Sequence, residues 1–156
     1  MLICCLIRKE LFDRIQKAMV AGVKRWNILI DPGFGYAKHA HQSIYLLGHL
    51  HELVRPESGL EGFPVLAGPS QKGFIGSILN RPEAEVNSFL WPFFFFFFFS
   101  LTKKKLKQQR TWGTAAACAA LVASKADILR VHDVQEMVDV VLISDAVWRT
   151  PSKLTN

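Results

Sequence analysis

The chain has 156 residues, half of them hydrophobic, enough for one domain around a single core. The formal net charge of +6 (19 basic, 13 acidic residues) is concentrated at Lys103, Lys104, Lys105, Lys107 and Arg110; the remainder is nearly neutral and lacks the basic face a nucleic-acid partner requires. Three cysteines (Cys4, Cys5, Cys118) without framework spacing argue against a disulfide-stapled secreted fold and for a reducing compartment.

Met1 to Ile7 is apolar, but no basic residue precedes it, no small-residue cleavage site follows, and Glu10 and Asp13 come soon after. It reads as neither a signal nor a transit peptide, so residues 1–9 are an N-terminal extension and the location defaults to the cytoplasm. From Glu10 to Val23, Leu11, Ile15, Ala18 and Met19 recur at helical spacing and predict one buried face. Trp26 to Ile30 is a short apolar run ended by Asp31, Pro32 and Gly33, the pattern of a strand running into a loop.

The same grammar repeats twice. Gln42 to Val54 is a helix carrying Ile44, Leu47, Leu50 and Val54; Phe63 to Ala67 is a strand stopped by Gly68, Pro69 and Ser70; Phe74 to Leu79 opens another helix. Further on, Thr114 to Ser124 is an alanine-rich helix in which Cys118 reads as a small buried thiol. Asp127 to Val131 is a third strand, and Gln135 to Trp148 a last helix turning Met137, Val138, Val141 and Leu142 inward. Apolar strands alternating with amphipathic helices predict an α/β fold with parallel pairing and both sheet faces covered.

Residues 86–109 break this grammar. They hold Trp91, Pro92, seven consecutive phenylalanines (Phe93 to Phe99) and the lysine run. As a helix, Phe89 to Phe99 would reach only about 16 Å, against a hydrocarbon core of about 30 Å, so it does not span a membrane. A shallow interfacial anchor with the lysines on headgroups is the membrane alternative. The composition fits an aberrant insert better: phenylalanine codons are T-rich and AAA encodes lysine, as in translated non-coding sequence.

Polar and glycine-rich residues gather after the strands, where a (β/α) barrel or doubly wound sheet places its site. In Asp31-Pro32-Gly33-Phe34-Gly35-Tyr36-Ala37-Lys38, a carboxylate at a strand tip suits paired hydrogen bonds from an amino-heterocycle, and the glycines let backbone approach a ligand. A dinucleotide fingerprint fails there, because Lys38 stands where a third glycine is needed; a plain turn is the simpler alternative. In Gly68-Pro69-Ser70-Gln71-Lys72-Gly73-Phe74, a helix start and Lys72 suit an anion, although a capped helix with a solvated lysine has the same pattern. In Arg130-Val131-His132-Asp133, strand alternation puts Arg130 and His132 on one face, an arrangement that suits phosphate or pyrophosphate; a histidine tied to Asp133 is the structural alternative. His39, His41, His49 and His51 do not converge and read as surface residues, not zinc ligands.

In order and spacing these three segments resemble dihydropteroate synthase, whose last three barrel strands carry Ile-Leu-Asp-Pro-Gly-Phe-Gly-like, Gly-x-Ser-Arg-Lys and Arg-Val-His-Asp segments. Trp112-Gly113-Thr114-Ala115-Ala116-Ala117 also matches a family helix start, and the wording looks most like plant enzymes, in which a pterin diphosphokinase precedes this domain in a bifunctional mitochondrial protein. The resemblance implies a partial (β/α)8 TIM barrel over residues 10–149, its last three βα units, with residues 86–109 as an irregular insert that would rejoin Glu85 to Arg110.

It also implies the activity: joining 4-aminobenzoate to 6-hydroxymethyl-7,8-dihydropterin diphosphate, with release of pyrophosphate. Carried over by position, Asp31 would hold the pterin's amino and ring N–H groups, and Gly68 and Lys72 would contact the pterin. Arg130 and His132 would bind the leaving diphosphate, Arg130 also lying against the pterin, while Tyr36 and Gly73 would border the aminobenzoate. Lys72, Arg130 and His132 are the expected catalytic residues, and the family pairs as a homodimer. Two departures stand out. Gln71 replaces the family's arginine, and the earlier strands, with the Asn-Val-Thr-Pro-Asp-like segment that binds magnesium and diphosphate, are not in this sequence. The expectation is therefore a truncated enzyme, with an inactive pterin-binding or subunit-interaction fragment as the alternative.

Overall fold

The computed structural model describes residues 2–80 and 110–149; the Phe/Lys-rich insert expected at 86–109 lies outside them. Helix α1 (Leu2–Val20) begins before the predicted Glu10, and it turns Cys4, Ile7 and Ile15 into the core with Leu11 partly covered. The spacing of three and four residues among these positions extends the stripe through the first nine residues. Met19, expected to be buried, is exposed although it continues that spacing in the last turn of α1. Gly22, at φ +96°, ends the helix: its N–H donates to Met19 O and that of Val23 to Ala18 O, both 3.0 Å, satisfying carbonyls the helix leaves open.

A short 3-10 turn (Arg25–Asn27) takes up the start of the first predicted strand and leaves Trp26 exposed, so only Ile30 pairs, by a parallel bridge to Val65. The loop after it leads to α2 (Ala40–Gly48), whose first turn is held by Gln42 Oε1 accepting from His39 N–H at 2.8 Å. A second 3-10 turn (Leu50–Glu52) replaces the rest of the predicted Gln42–Val54 helix. Strand β1 (Leu66–Ala67) runs parallel to β2 (Ile128–Leu129), pairing Leu66 with Ile128 and Ala67 with Leu129. With the Ile30 bridge, the three predicted strands therefore lie side by side, in chain order and parallel.

Helices α3 (Gly73–Ile78), α4 (Thr111–Ala123) and α5 (Val134–Trp148) complete the described chain. Gly113 fixes how closely α4 sits on α3: a Cβ there would stand 2.5 Å from Ile75 Cγ2 and 3.0 Å from Leu79 Cδ1. The core joins the sheet residues Ile30, Val65 and Ala67 to Leu46 and Leu50, Phe74 and Ile75, and Ala117 and Leu121. Arg149 clamps the far end, donating to Val122 O and Ala126 O at 2.9 and 2.7 Å.

This is an α/β arrangement of few strands, consistent with a partial, unclosed barrel. The expected burial of both sheet faces and of one face of α5 holds only in part. Leu29 and Ile128 are exposed, and so are Val138 and Leu142, whereas Met137 and Ser144 are buried. An arc of three strands offers one inner and one outer surface, and side chains at its margins have no further strand or helix to pack against among the described residues.

Burial raises the thiol of Cys118, expected to be buried, to about 11, and burial likewise raises that of Cys4. His39, His41 and His51 are exposed; His49 is half-buried, its ring stacked on Tyr45 at 4.0 Å with Nδ1 2.8 Å from Tyr45 O. No described helix is long and apolar enough to cross a membrane.

Candidate active site

Parallel pairing brings three loops to one end of the sheet, the end at which each strand finishes. Ile30 leads into residues 31–38, Ala67 into 68–72, and Leu129 into 130–133. Between them lies an open cavity of about 440 Å³, lined among others by Tyr36, Gly68, Ser70, Lys72, Arg130 and His132.

The first loop is shaped by backbone that only some residues tolerate. Gly33 and Gly35 both sit at φ +72°, the left-handed region that favours glycine. Gly35 also clears a path for Lys72, whose Cδ would lie 3.4 Å from a Cβ there. Lys38 ties the loop together, donating to Gly33 O at 3.0 Å and to Tyr36 O at 3.3 Å, and its burial lowers its pKa against the opposing pull of Glu10 and Asp31. Tyr36 is thereby presented outward, with Lys72 Nζ 4.0 Å from its ring centroid, a cation-π contact. Lys72 acts on the phenol by hydrogen bonding and then by its charge, holding the Tyr36 hydroxyl below the usual tyrosine range; Arg130 adds to this and Asp31 opposes it.

In the second and third loops, glycine again makes room for a cation. A Cβ on Gly68 would stand 2.8 Å from Arg130 Nη2 and 3.2 Å from both Cζ and Nε, so the guanidinium occupies the space of the missing side chain. Gln71 lies at φ +57°, uncommon for a non-glycine residue, and is held from several sides. Its N–H donates to Thr114 Oγ1 at 3.1 Å, its carbonyl accepts from Arg110 Nη1 at 3.1 Å, and its side-chain amide reaches Asp133 Oδ2 at 3.4 Å. Asp133 Oδ2 also accepts from Thr111 Oγ1 at 3.0 Å. His132 is not tied to Asp133; its Nδ1 lies 2.8 Å from Ser70 Oγ, and its backbone N–H donates to the same oxygen at 3.3 Å.

Five of the sequence-selected residues therefore surround one cavity: Tyr36, Gly68, Lys72, Arg130 and His132. Two stand off its lining. Gly73 heads α3, and Asp31 turns Oδ1 back to accept from Gly33 N–H at 2.8 Å. Asp31 Oδ2 has no hydrogen bond among the described residues, and the carboxylate is still close enough to influence Tyr36 and Lys38.

Ser70, Thr111, Thr114 and Arg110 are the residues that reading the sequence did not single out. Ser70 was legible as the serine of the Gly-x-Ser segment. Arg110 was hidden in the basic run, although it is only 2% exposed and braces the site. Among the described residues no group of three or more His, Cys, Asp or Glu is placed to hold a metal ion.

A profile of the pterin binding enzyme family matches residues 5–132. A dihydropteroate synthase of Synechocystis is 41% identical over 143 residues, covering 92% of this chain and 40% of that protein. The structure of the Xanthomonas albilineans dihydropteroate synthase in complex with 7,8-dihydropteroate superposes with a TM-score of 0.73 at 32% identity, over 96% of this chain and 46% of that one. That of a Coxiella burnetii dihydropteroate synthase in complex with pteroic acid gives 0.70 at 31%, over 92% and 44%. The chain thus spans about two-fifths of the length of the Synechocystis protein. Three strand tips around one cationic cavity, on a matching fold and sequence, make this chain a member of the pterin binding enzyme family, carrying part of a dihydropteroate-synthase-like domain.

Proposed function

We propose that the cavity is the pterin and diphosphate half of a dihydropteroate synthase site, which condenses 6-hydroxymethyl-7,8-dihydropterin diphosphate with 4-aminobenzoate to give dihydropteroate and pyrophosphate. The observation that carries this reading is the packing of Arg130 into the space above Gly68, with Lys72 and His132 on the same cavity. A planar cation there both covers a flat heterocycle and forks toward phosphate oxygens.

In the reaction, the carbon-oxygen bond to the diphosphate breaks and its electron pair leaves with pyrophosphate. The aminobenzoate nitrogen forms the new bond to the methylene carbon and then gives up a proton. Negative charge grows on the leaving group, and Lys72, Arg130 and His132 stabilise it there. The Asp31 carboxylate, just off the cavity lining, takes the pterin's amino and ring N–H groups, while Tyr36 and Gly73 border the aminobenzoate. Magnesium, expected for the complete family site, would neutralise the diphosphate further, and no step here depends on it.

The test is incubation of the purified chain with pterin diphosphate and 4-aminobenzoate. Dihydropteroate formed by the chain alone, and lost in Arg130→Ala, supports the transferase reading. A second reading, a fragment that binds pterin without turnover, is favoured by the sheet margins left unpaired at Ile30 and β2 among the described residues and by the two-fifths coverage. Calorimetric pterin binding without product identifies that case, and no binding at all refutes both.

The parent protein is a separate proposal. A plant-type bifunctional protein, mitochondrial and homodimeric, rests on the wording of the three segments, and the 41% match to the Synechocystis protein does not distinguish it. Sequencing one transcript across the codons for 85–110 and upstream tests it.

A further inference from the structure

We infer that Ser70 is a positioning residue for His132, fixing its imidazole as the tautomer that carries its proton on Nε2. Ser70 is 4% exposed, and its hydroxyl has one hydrogen to give. Its oxygen accepts from His132 N–H at 3.3 Å and lies 2.8 Å from His132 Nδ1. Among the described residues no other acceptor lies within hydrogen-bond distance of Ser70 Oγ, which borders the cavity yet at 4% exposure has little access to water, and a hydroxyl hydrogen left without an acceptor costs about 1 to 3 kcal/mol. The hydroxyl therefore donates to Nδ1, which must be unprotonated in the neutral ring, and the ring proton sits on Nε2.

Nε2 has no partner among the described residues, and His132 lines the cavity. The ring thus offers the cavity a donor, of use to an oxyanion and of none to a cation. The opposite tautomer would present a bare lone pair, repelling phosphate oxygens. The same contact also sets the ring's orientation, because Ser70 grips both the side chain and the backbone of His132 and so defines its rotation relative to β2. Ser70 itself acts through His132. The tautomer follows from the hydrogen bonds alone; its use on a diphosphate rests on the function proposed above.

Long-range nitrogen-proton NMR of the full chain, labelled on histidine, reads the tautomer directly at a pH where the ring is neutral. The wild-type His132 signals are expected in the Nε2–H pattern. Ser70→Ala should collapse them toward a mixture and weaken inorganic pyrophosphate binding by roughly tenfold, the loss of one hydrogen bond to a charged ligand. Ser70→Thr, which keeps the hydroxyl, should restore both. An Nδ1–H pattern in the wild type, which needs no variant to fold, overturns the inference, as does a pattern that Ser70→Ala leaves unchanged. A wild-type chain with the Nε2–H pattern and no affinity for pyrophosphate supports the inference and counts against the proposed function instead.

Discussion

Arg130 rests in the volume that a side chain on Gly68 would fill, its Nη2 2.8 Å and its Cζ 3.2 Å from where that Cβ would stand. The two residues directly follow neighbouring parallel strands, so their contact follows from the register that pairs Ala67 with Leu129. Gly68→Ala should therefore displace Arg130 with little effect on the fold. The clashing atoms belong to the far end of a long, exposed side chain, which can swing away for less than about 1 kcal/mol, whereas a misplaced guanidinium loses a charge-assisted contact of about 1.5 to 3 kcal/mol. The expected result is an unchanged melting temperature within a few degrees and at least roughly tenfold weaker pterin or pyrophosphate binding by calorimetry. A variant that binds as well as the wild type would show that Arg130 has no ligand role.

The chain has two tyrosines, and their surroundings push them apart. Lys72 holds Tyr36 below the ordinary tyrosine value, and burial raises Tyr45 above it. Ultraviolet titration should accordingly show two steps. Lys72→Met removes the contact and the charge that favour the Tyr36 phenolate, so the lower step should move up while the Tyr45 step stays in place. A single unresolved step in the wild type, or a lower step indifferent to Lys72, would contradict the contact over the Tyr36 ring.

Which of these features could be read from the sequence depends on how local their cause is. The strands at Phe63–Ala67 and Asp127–Val131 and the loops after them were legible because apolar runs ended by Gly, Pro and Asp report local chemistry. Trp26 and Asn27 read as strand in the sequence but form a 3-10 turn, since an apolar tryptophan fits either and tertiary packing decides. Val138 and Leu142 read as inward but are exposed, because a periodic stripe reveals that a helix has an apolar face, not which neighbours are present to cover it. The bracing of Gln71 by Thr114, Arg110 and Asp133 is illegible in the sequence: its partners stand 39 to 62 residues away, and all three follow the insert.

Gln71 stands where the resemblance leads one to expect an arginine, and its amide reaches Asp133 at a long 3.4 Å. Gln71→Arg leaves the backbone demand at φ +57° unchanged, since neither side chain relieves it. It places a cation beside both the Asp133 carboxylate and the cavity. A partly exposed ion pair adds about 0 to 1 kcal/mol, so stability should hardly move. Pyrophosphate affinity should rise by up to roughly tenfold and fall more steeply with salt, because the added charge lies on the ligand's side of the loop. Calorimetry at two ionic strengths measures both effects, and an affinity lower than wild type would mean that Asp133 draws the arginine away from the ligand.

Gly113→Ala sets two effects of opposite sign against each other. Alanine gains about 1 kcal/mol of helix propensity over glycine inside α4. Its methyl, however, would approach Ile75 Cγ2 to 2.5 Å and Leu79 Cδ1 to 3.0 Å. Ile75 is branched at Cβ and 3% exposed, so it cannot rotate aside cheaply, and overpacking of this kind costs about 1 to 3 kcal/mol. The net expectation is a destabilisation of about 1 kcal/mol in denaturant titration. The strain should also reach the site, because relieving it lifts the start of α4 away from α3, and that segment carries the Thr114 hydroxyl and Arg110 guanidinium that hold Gln71. Weaker ligand binding together with lower stability is therefore expected of Gly113→Ala, in contrast to Gly68→Ala, which should lose binding alone. An alanine variant more stable than wild type would show that helix propensity outweighs the contact and that α3 and α4 have room to separate.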